Sequence, residues 1–170
     1  MLDQNNDFTK ASGKLSALCY RAEIEAALRT EGLAGFHLLD LQDFPGQGTA
    51  LVGILDAFMD SKNVISSEAW LQFCNDVVPL LEFEKYCWTN KETFSAKVQV
   101  ANYANVVIKN NITWKILNQQ GNTLKTGNFE SASMNPGELS SIGSIEFGLQ
   151  SQKTASARQE SIAFPHVELR

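Results

Sequence analysis

The sequence lacks the features that define several large classes of protein. Its 14 lysines and arginines are outnumbered by 19 acidic residues, which gives a net charge of −5. A protein that binds nucleic acid through phosphate contacts needs the opposite balance, so we expect no nucleic-acid partner. No apolar run approaches the roughly 20 residues that span a bilayer, so we expect no membrane partner.

The N-terminus also lacks the pattern of a secretory signal. Its first residues, MLDQNNDFTKASGK, are polar and carry acids where a signal peptide would be basic and then apolar. The protein is therefore either cytosolic, or its signal lies outside this chain, as it would in an exported parent protein. The compartment stays open.

Cysteine and histidine are scarce. Cys19, Cys74 and Cys87 form no CxxC pair, and His37 and His166 are not spaced with them as zinc ligands are. The sequence therefore predicts no metal site and no cofactor. An odd cysteine count leaves at least one thiol unpaired, and we expect buried free thiols that act as small apolar side chains.

The chain is organised around residues 35–53, which read GFHLLDLQDFPGQGTALVG. Residues 36–41 predict an apolar strand, a Gly/Pro-rich loop follows, and residues 49–58 favour a helix. Asp40 lies inside the predicted strand, where a carboxylate is costly unless it is paired, hydrogen-bonded or functional. Polar loops directly after a strand are where α/β proteins commonly place their sites.

Two helices flank this stretch. Residues 1–11 resemble a frayed lead, and Ser12 is a candidate cap for a helix over residues 14–30, which Gly32 would end. Helical spacing predicts a packed face made of Leu15, Leu18, Ala22, Ile24, Ala27 and Leu28. A further helix over residues 68–77 would be capped by Ser66 or Ser67 and ended by Pro79.

From residue 93 the hydrophobic period changes from helical to alternating. Strands are predicted over residues 93–100, 112–117, 123–129 and 142–149, separated by turns rich in Gly, Asn and Pro. Such spacing is typical of a β-sandwich, with Trp114 in its core. Pro165 would restrict the tail to an edge strand. Residues 91–170 are fewer than the ~100 of a seven-stranded sandwich, so we expect an incomplete one.

The order of these segments carries a family resemblance. The helix CYRAEIEAALRT, the strand GFHLLDLQDF, the loop PGQGTALVG and the later hairpin ITWKILNQQGNTLKTG resemble the region of family 2 glycoside hydrolases where the catalytic barrel ends. These enzymes are the β-galactosidase and β-glucuronidase relatives. The resemblance implies an α+β chain. Residues 1–60 would be the end of a (β/α)8 TIM barrel, residues 61–90 a helical bridge, and residues 91–170 an immunoglobulin-like antiparallel β-sandwich.

The resemblance also implies a reaction. Such enzymes hydrolyse β-glycosidic bonds by a retaining mechanism with two carboxylates about 5 Å apart. In the family these lie on barrel strands that would precede residue 1, so the chain would hold no catalytic residue and would have a structural or substrate-rim role. The tail after Gln150 departs from the family pattern.

Four residues at the end of the predicted strand are candidate substrate-binding residues: Asp40, Gln42, Asp43 and Phe44. Carboxylates and amides bond sugar hydroxyls, and an aromatic ring stacks on a sugar face. The competing interpretation is strand-end and turn capping by the polar residues and core packing by Phe44. Core packing is favoured for Trp70, and a packing role for His37.

Two other ligand sites are disfavoured by their spacing. Gly46, Gly48 and Gly53 depart from the dinucleotide pattern G-x-G-x-x-G, because Leu51 occupies the position of the third glycine. Asp56 and Asp60 suggest calcium ligands, but the glycine and final glutamate of a calcium loop are missing.

Two rival functions remain. One is a non-catalytic carbohydrate-binding or protein-interaction β-sandwich module, with Tyr103 or Trp88 in an exposed aromatic platform. The other is a small α/β enzyme that uses Asp40 and Asp43, which needs the strand over residues 36–41 to be central in its own sheet. If the barrel resemblance holds, that strand has open edges, and we expect self-association through it.

Overall fold

A computed structural model describes residues 2–49, 51–118, 120–151 and 166–169. The chain divides into two compact units, unit 1 (Met1–Val78) and unit 2 (Pro79–Arg170). Unit 1 is built on one long helix, and unit 2 is built from strands. Within the described ranges, no helix is both long and apolar enough to cross a membrane.

The first helix, α1, spans Leu2–Leu28 and is longer than predicted. Residues 2–11 are helical, so the expectation of a frayed lead is wrong. Acidic side chains near the start of the helix stabilise it, because they interact favourably with the positive end of the helix dipole. Ser12 is not a cap, since it lies inside α1 and its hydroxyl donates to the carbonyl of Thr9. After the helix ends, Gly32 adopts a left-handed φ of 76°.

One face of α1 packs into unit 1. Ala17, Ile24 and Leu28 are buried at helical spacing, together with Ile54 and Phe73 from later in the unit. The expected burial of Ile24 and Leu28 is confirmed. The expected burial of Leu15, Leu18 and Ala22 is wrong, because all three lie on an exposed part of the helix surface.

The strand predicted over residues 36–41 does not form. Residues 33–41 are irregular, and Asp40 has a left-handed φ of 63°. The bridges described nearby are single ones, a parallel pair between Gln42 and Leu55 and an antiparallel pair between Leu55 and Ser61. A strand needs neighbours for its backbone N–H and C=O groups, and the described part of unit 1 supplies no ladder here.

The helix predicted over residues 49–58 is also wrong. The described part, residue 49 and residues 51–58, has no helix, and Asp56 explains the turn that replaces its end. The Asp56 carboxylate accepts hydrogen bonds from the backbone N–H groups of Phe58 and Asp60, at 2.8 and 2.9 Å. Such side-chain bonds offer the backbone an alternative to helical pairing.

The second helix, α2, spans Ser67–Trp70 and is shorter than predicted. Ser66, one of the two predicted caps, is its N-cap, and its hydroxyl accepts from the backbone N–H of Ala69 at 3.2 Å. The chain then extends into strand β1 (Val77–Glu82), most of which lies in unit 2. Pro79 lies within β1, which is tolerated because β1 is an edge strand of its sheet.

The described residues of unit 2 form two three-stranded sheets with antiparallel pairing. Their orders are β1-β2-β5 and β4-β3-β6. The remaining strands are β2 (Thr93–Asn102), β3 (Ile108–Leu117), β4 (Thr123–Met134), β5 (Glu138–Gly148) and β6 (His166–Leu169). The predicted strands are therefore confirmed, although β3, β4 and β5 are longer than predicted. β6 lies at a sheet edge, while Pro165 falls outside the described residues.

The core of unit 2 joins both sheets. Val98 of β2 and Ile145 of β5 pack with Trp114 and Ile116 of β3, and all four are buried. The alternation in β2 and the core position of Trp114 are thus confirmed. Gly127 of β4 makes room for this core, because a Cβ there would lie 2.5 Å from the Trp114 ring. The protein is an α+β chain with an N-terminal helix and a β-sandwich.

Candidate functional site

The candidate site is a loop that is closed by hydrogen bonds between its own backbone groups. We call it the Asp43 loop; its described residues are 41–49 and 51–62. The N–H groups of Ile54 and Leu55 both donate to the carbonyl of Leu41 at 3.1 Å, and the N–H of Asp43 donates to the carbonyl of Leu55 at 3.0 Å. Lys62 N–H donates to the carbonyl of Ile54 at 3.3 Å, which ties the end of the loop to its middle.

Asp43 is the buried charge at the centre of this loop. Its side chain is almost fully enclosed, at 9% exposure. Its Oδ1 accepts from the Lys62 ammonium at 2.6 Å and from the Gly53 N–H at 2.9 Å. A buried carboxylate is costly unless it is paired and hydrogen-bonded, and here one oxygen has both a cation and an amide donor.

Gly53 lets two parts of the loop approach closely. A Cβ at Gly53 would lie 2.6 Å from the backbone nitrogen of Asp43 and 2.7 Å from the Cα of Gln42. Since atoms cannot approach so closely without a shift, a larger residue would push the backbone away from Asp43. The glycine is therefore needed for the hydrogen bond between Gly53 N–H and Asp43.

Asp40 connects the loop to α1. Its carbonyl accepts a hydrogen bond from the Tyr20 hydroxyl at 2.8 Å, while its own backbone is left-handed. Burial raises the pKa of Tyr20, and the negative charges of Asp40 and Glu23 raise it further. Asp40 thus has a clear structural contact through its backbone, and its half-buried carboxylate lies within electrostatic range of Tyr20.

Gln42 and Phe44 are the candidates that face outward. Both flank the inward Asp43, and Phe44 is 56% exposed. The ring of Phe44 folds over Gly46, where an added Cβ would lie 2.5 Å from its Cζ. The structure therefore leaves a ring and an amide exposed on either side of Asp43 in the same loop. Such a pair can stack on a sugar ring and hydrogen-bond its hydroxyls.

The structure also describes the surroundings of Trp70 and His37, for which the sequence predicted packing roles. Trp70 packs edge-on against Tyr20 and Phe73, with ring centroids 5.8 and 5.0 Å apart, as predicted. His37 is exposed, so the packing role expected for it is wrong. Across the described ranges, no group of three or more His, Cys, Asp or Glu side chains is placed to hold a metal ion.

The cysteines differ from the expectation of buried thiols. Cys19 and Cys87 are exposed, and Cys74 is half-buried. The difference at Cys19 has the same origin as the misplaced Leu18, because both lie on the outer surface of α1 rather than on its packed face.

The prediction that Trp88 belongs to an exposed aromatic platform on the sandwich is also wrong. Trp88 is buried against Phe94, with ring centroids 5.5 Å apart, and the Lys85 ammonium lies 4.8 Å from its ring. Tyr103 is only half-buried. Tyr86 is instead the aromatic residue exposed in this region, at 66% exposure. The sequence prediction did not include it, although its charged neighbours in EKYCW indicated an exposed position.

Lys85 also organises the strand entry beside Trp88. It pairs with Glu92, whose carboxylate accepts a further hydrogen bond from the backbone N–H of Thr89 at 2.6 Å. The bond from Lys85, followed by the bond from Thr89, lowers the pKa of Glu92 to about 2. These contacts stabilise the turn before β2.

Comparison with known proteins gives a match for the sandwich. Residues 92–165 are similar to a family described as a domain of unknown function, DUF8488. The match begins just before β2 and covers less than half of the chain. No curated protein matches the sequence.

Proposed function

We propose that this chain is the C-terminal part of a carbohydrate-active enzyme that hydrolyses β-glycosidic bonds by the retaining mechanism. The chain would carry neither catalytic carboxylate and would form part of the substrate rim. The observation that supports this most is the Asp43 loop, in which the exposed residues Gln42 and Phe44 flank a buried, ion-paired carboxylate. The other support is the family resemblance of the same residues.

The chemistry explains why Asp43 is not assigned a catalytic role. A retaining glycosidase needs a nucleophile and a general acid about 5 Å apart, both open to substrate. Oδ1 of Asp43 is bound to Lys62 and Gly53 inside the loop. The small α/β enzyme built on Asp40 and Asp43 is disfavoured further, because the central strand it requires is absent. The two carboxylates would come from barrel strands of the parent enzyme.

The surface of unit 1 also supports a place within a larger barrel. Its loops expose several large apolar side chains, which are Leu39, Leu51, Val52, Phe58 and Met59. Exposed apolar groups in such number suggest a surface that packs against further protein. In the proposed parent this surface would close the barrel, and Phe44 and Gln42 would lie at its substrate edge.

The experiment compares this chain with the product of the reading frame extended upstream of Met1. We expect the chain alone to release no product from aryl β-glycosides. We expect the extended product to hydrolyse them, with retention of configuration seen by proton NMR of the first-formed sugar. Turnover by the chain alone, or inversion by the extended product, would contradict the proposal.

A second function is favoured by one observation, the exposure of Tyr86. Its ring packs edge-on to Phe83 at 5.2 Å and leaves most of its surface in solvent. This arrangement fits a non-catalytic carbohydrate-binding or interaction module. Titration of the chain with β-linked oligosaccharides, followed by amide NMR, would show shifts near Tyr86 that Tyr86→Ala abolishes. Absence of any shift would remove this alternative.

A further inference from the structure

The helix α1 carries a second apolar face that unit 1 leaves uncovered. Phe8, Leu15 and Leu18 are large apolar residues with 71%, 62% and 63% exposure. Ala11 and Ala22 are exposed between and beyond them. We call these five residues the α1 stripe. Their spacing alternates between three and four residues, which is the a/d pattern of a coiled-coil seam.

The α1 stripe lies opposite the packed face of the helix. With 3.6 residues per turn, Ala17, Ile24 and Leu28 lie on the side of the cylinder away from Leu15 and Leu18. One helix cannot turn both faces toward the same core. The α1 stripe is therefore separate from the packing that holds unit 1 together, and a coiled-coil partner would fit it.

The charges along one border of the stripe indicate what that partner is. Asp7, Lys14 and Arg21 occupy the same heptad position, just before Phe8, Leu15 and Ala22, and all are exposed. Arg21 also pairs with Glu25 of its own helix at 2.7 Å and lies over the Phe73 ring, while its side chain keeps 47% exposure. The sign changes from negative to positive along the helix. Antiparallel helices bring such border positions of the two copies together. Asp7 of each copy then faces Arg21 of the other. The two Lys14 side chains meet at the symmetry axis, so two attractive pairs oppose one like-charge contact.

The apolar residues agree with the same register. When Asp7 faces Arg21, Phe8 of one copy lies opposite Leu18 of the other, and the small Ala11 lies opposite Leu15. The seam therefore has a layer of two large side chains at each end, Phe8 with Leu18, and two layers of a small and a large side chain between them, Ala11 with Leu15. In a parallel pair the same border would instead face Ser12 and Cys19, which offer no charge to Asp7 or Lys14.

We propose that the α1 stripe is the interface of an antiparallel homodimer of this chain. The seam runs over residues 7–22, about 24 Å of helix. The interface takes the place of the self-association expected through residues 36–41, which form no strand. The proposal does not depend on the glycosidase function, because it uses only the outer face of α1 and needs no carbohydrate.

The decisive experiment mixes two variants of opposite charge. Asp7→Lys places a cation at both ends of the border, and Arg21→Glu places an anion at both ends. Each variant alone faces repulsion, so we expect sedimentation equilibrium to show at least a tenfold weaker dimer than for the unchanged chain. An equimolar mixture should form a mixed dimer, because both end pairs are then complementary. Failure of mixing to restore dimerisation would overturn the antiparallel arrangement.

Apolar variants test the seam itself. Leu15→Lys combined with Leu18→Lys should make the chain monomeric, with the helical circular dichroism signal of α1 retained. Leu39→Lys is the matched control, since Leu39 is also exposed in unit 1, at 82%, but lies outside the stripe. Equal effects of the two changes would overturn the assignment, as would a monomeric unchanged chain at millimolar concentration.

Cross-linking tests the orientation independently. In this register the two copies of Ser12 meet at the axis, whereas the two copies of Cys19 lie roughly 20 Å apart along it. Ser12→Cys in a background that carries Cys19→Ser and Cys87→Ser, which removes both exposed thiols, should therefore form a disulfide-linked dimer under mild oxidation, with the bond placed at residue 12 by peptide mapping. A Ser12→Cys chain that forms no cross-link at residue 12, while sedimentation still shows a dimer, would overturn the antiparallel register.

Discussion

Lys62 and Asp43 form an ion pair of 2.6 Å across a loop that separates them by 19 residues. The same Asp43 oxygen accepts the N–H of Gly53. One carboxylate oxygen therefore joins the beginning, the middle and the end of the loop. This arrangement gives the loop a defined shape without a helix or a sheet.

The first prediction concerns the removal of this carboxylate. Asp43→Ala leaves the Gly53 N–H and the Lys62 ammonium without their acceptor, so it should lower the free energy of unfolding by about 1–3 kcal/mol. Urea denaturation measures the loss, and hydrogen exchange at Gly53 locates it. Asp60→Ala is the control. Asp60 is exposed, and it bonds Asp56 through its backbone, which the substitution leaves in place. An equal loss in the control would contradict the assigned role.

The second prediction concerns the close approach at Gly53. Gly53→Ala places a methyl group against the backbone of Gln42 and Asp43, and should cost about 1–3 kcal/mol through the forced shift. Gly48→Ala should cost little, because a Cβ there meets no atom within 4 Å. Thermal unfolding of both variants makes the comparison. Similar melting temperatures for the two would show that the close approach is not required.

The fold could be predicted where the pattern of burial is local. Alternation from Phe94 to Val100 identified β2, because each strand of a sandwich has one face toward the other sheet. The pattern at residues 36–41 was equally apolar, yet it forms no strand, because pairing partners are not a local property. Helical spacing likewise found α1 but not its packed side, since Leu15 and Leu18 are as apolar as Ile24 and Leu28.

The candidate site shows the same limit. The cost of burying a carboxylate drew attention to the right stretch, but Asp43 is the buried acid and Asp40 is only half-buried. Position along the chain could not reveal that Lys62 closes the loop. Asp40 instead uses its backbone carbonyl to hold Tyr20, a contact that has no signature in the sequence.

The third prediction concerns Tyr20 and alkaline pH. The folded state raises the pKa of Tyr20 above 10 through burial and the charges of Asp40 and Glu23. Its contribution to stability is therefore complete below pH 10 and is lost as the pH rises through the folded pKa, since the unfolded chain ionises first. Tyr20→Phe should cost about 1 kcal/mol at neutral pH and should reduce the alkaline loss.

Absorbance titration of the phenol and denaturation between neutral pH and pH 11 measure these two effects. Asp40→Asn is the matched variant, because it removes the charge and keeps the residue type that tolerates a left-handed backbone. We expect it to lower the pKa of Tyr20. An unchanged Tyr20 titration in Asp40→Asn would show that Asp40 does not act on it.

The fourth prediction concerns Glu92 and acid pH. Its pKa is lowered to about 2 by the bonds from Lys85 and Thr89, so its contribution is present above its ordinary pKa of 4.5 and is lost as the pH falls toward 2. Lys85→Met should move the Glu92 titration toward 4.5. Carbon NMR of the carboxyl group measures this directly, with exposed Glu84 as the internal control. A titration that stays near 2 in the variant would contradict the role of Lys85.

The fifth prediction concerns Phe44 in the product of the extended reading frame. Phe44→Ala removes the exposed ring and should raise KM for an aryl β-glycoside up to about tenfold, since aromatic stacking contributes about 0.5–1.5 kcal/mol. Phe58→Ala is the control, because Phe58 belongs to the same loop but, in the proposed parent, lies on the surface that closes the barrel and not at the substrate edge. A rise in KM that is larger for Phe58→Ala than for Phe44→Ala would remove Phe44 from the substrate rim.

The measurement that tests the central claim most directly is the nucleotide sequence upstream of the codon for Met1. The account predicts an uninterrupted reading frame that encodes the earlier strands of a barrel, with two carboxylates at strand ends. A stop codon in frame, or upstream coding sequence for an unrelated fold, would contradict the claim that this chain completes a glycosidase. The carbohydrate-binding or interaction function would then take its place.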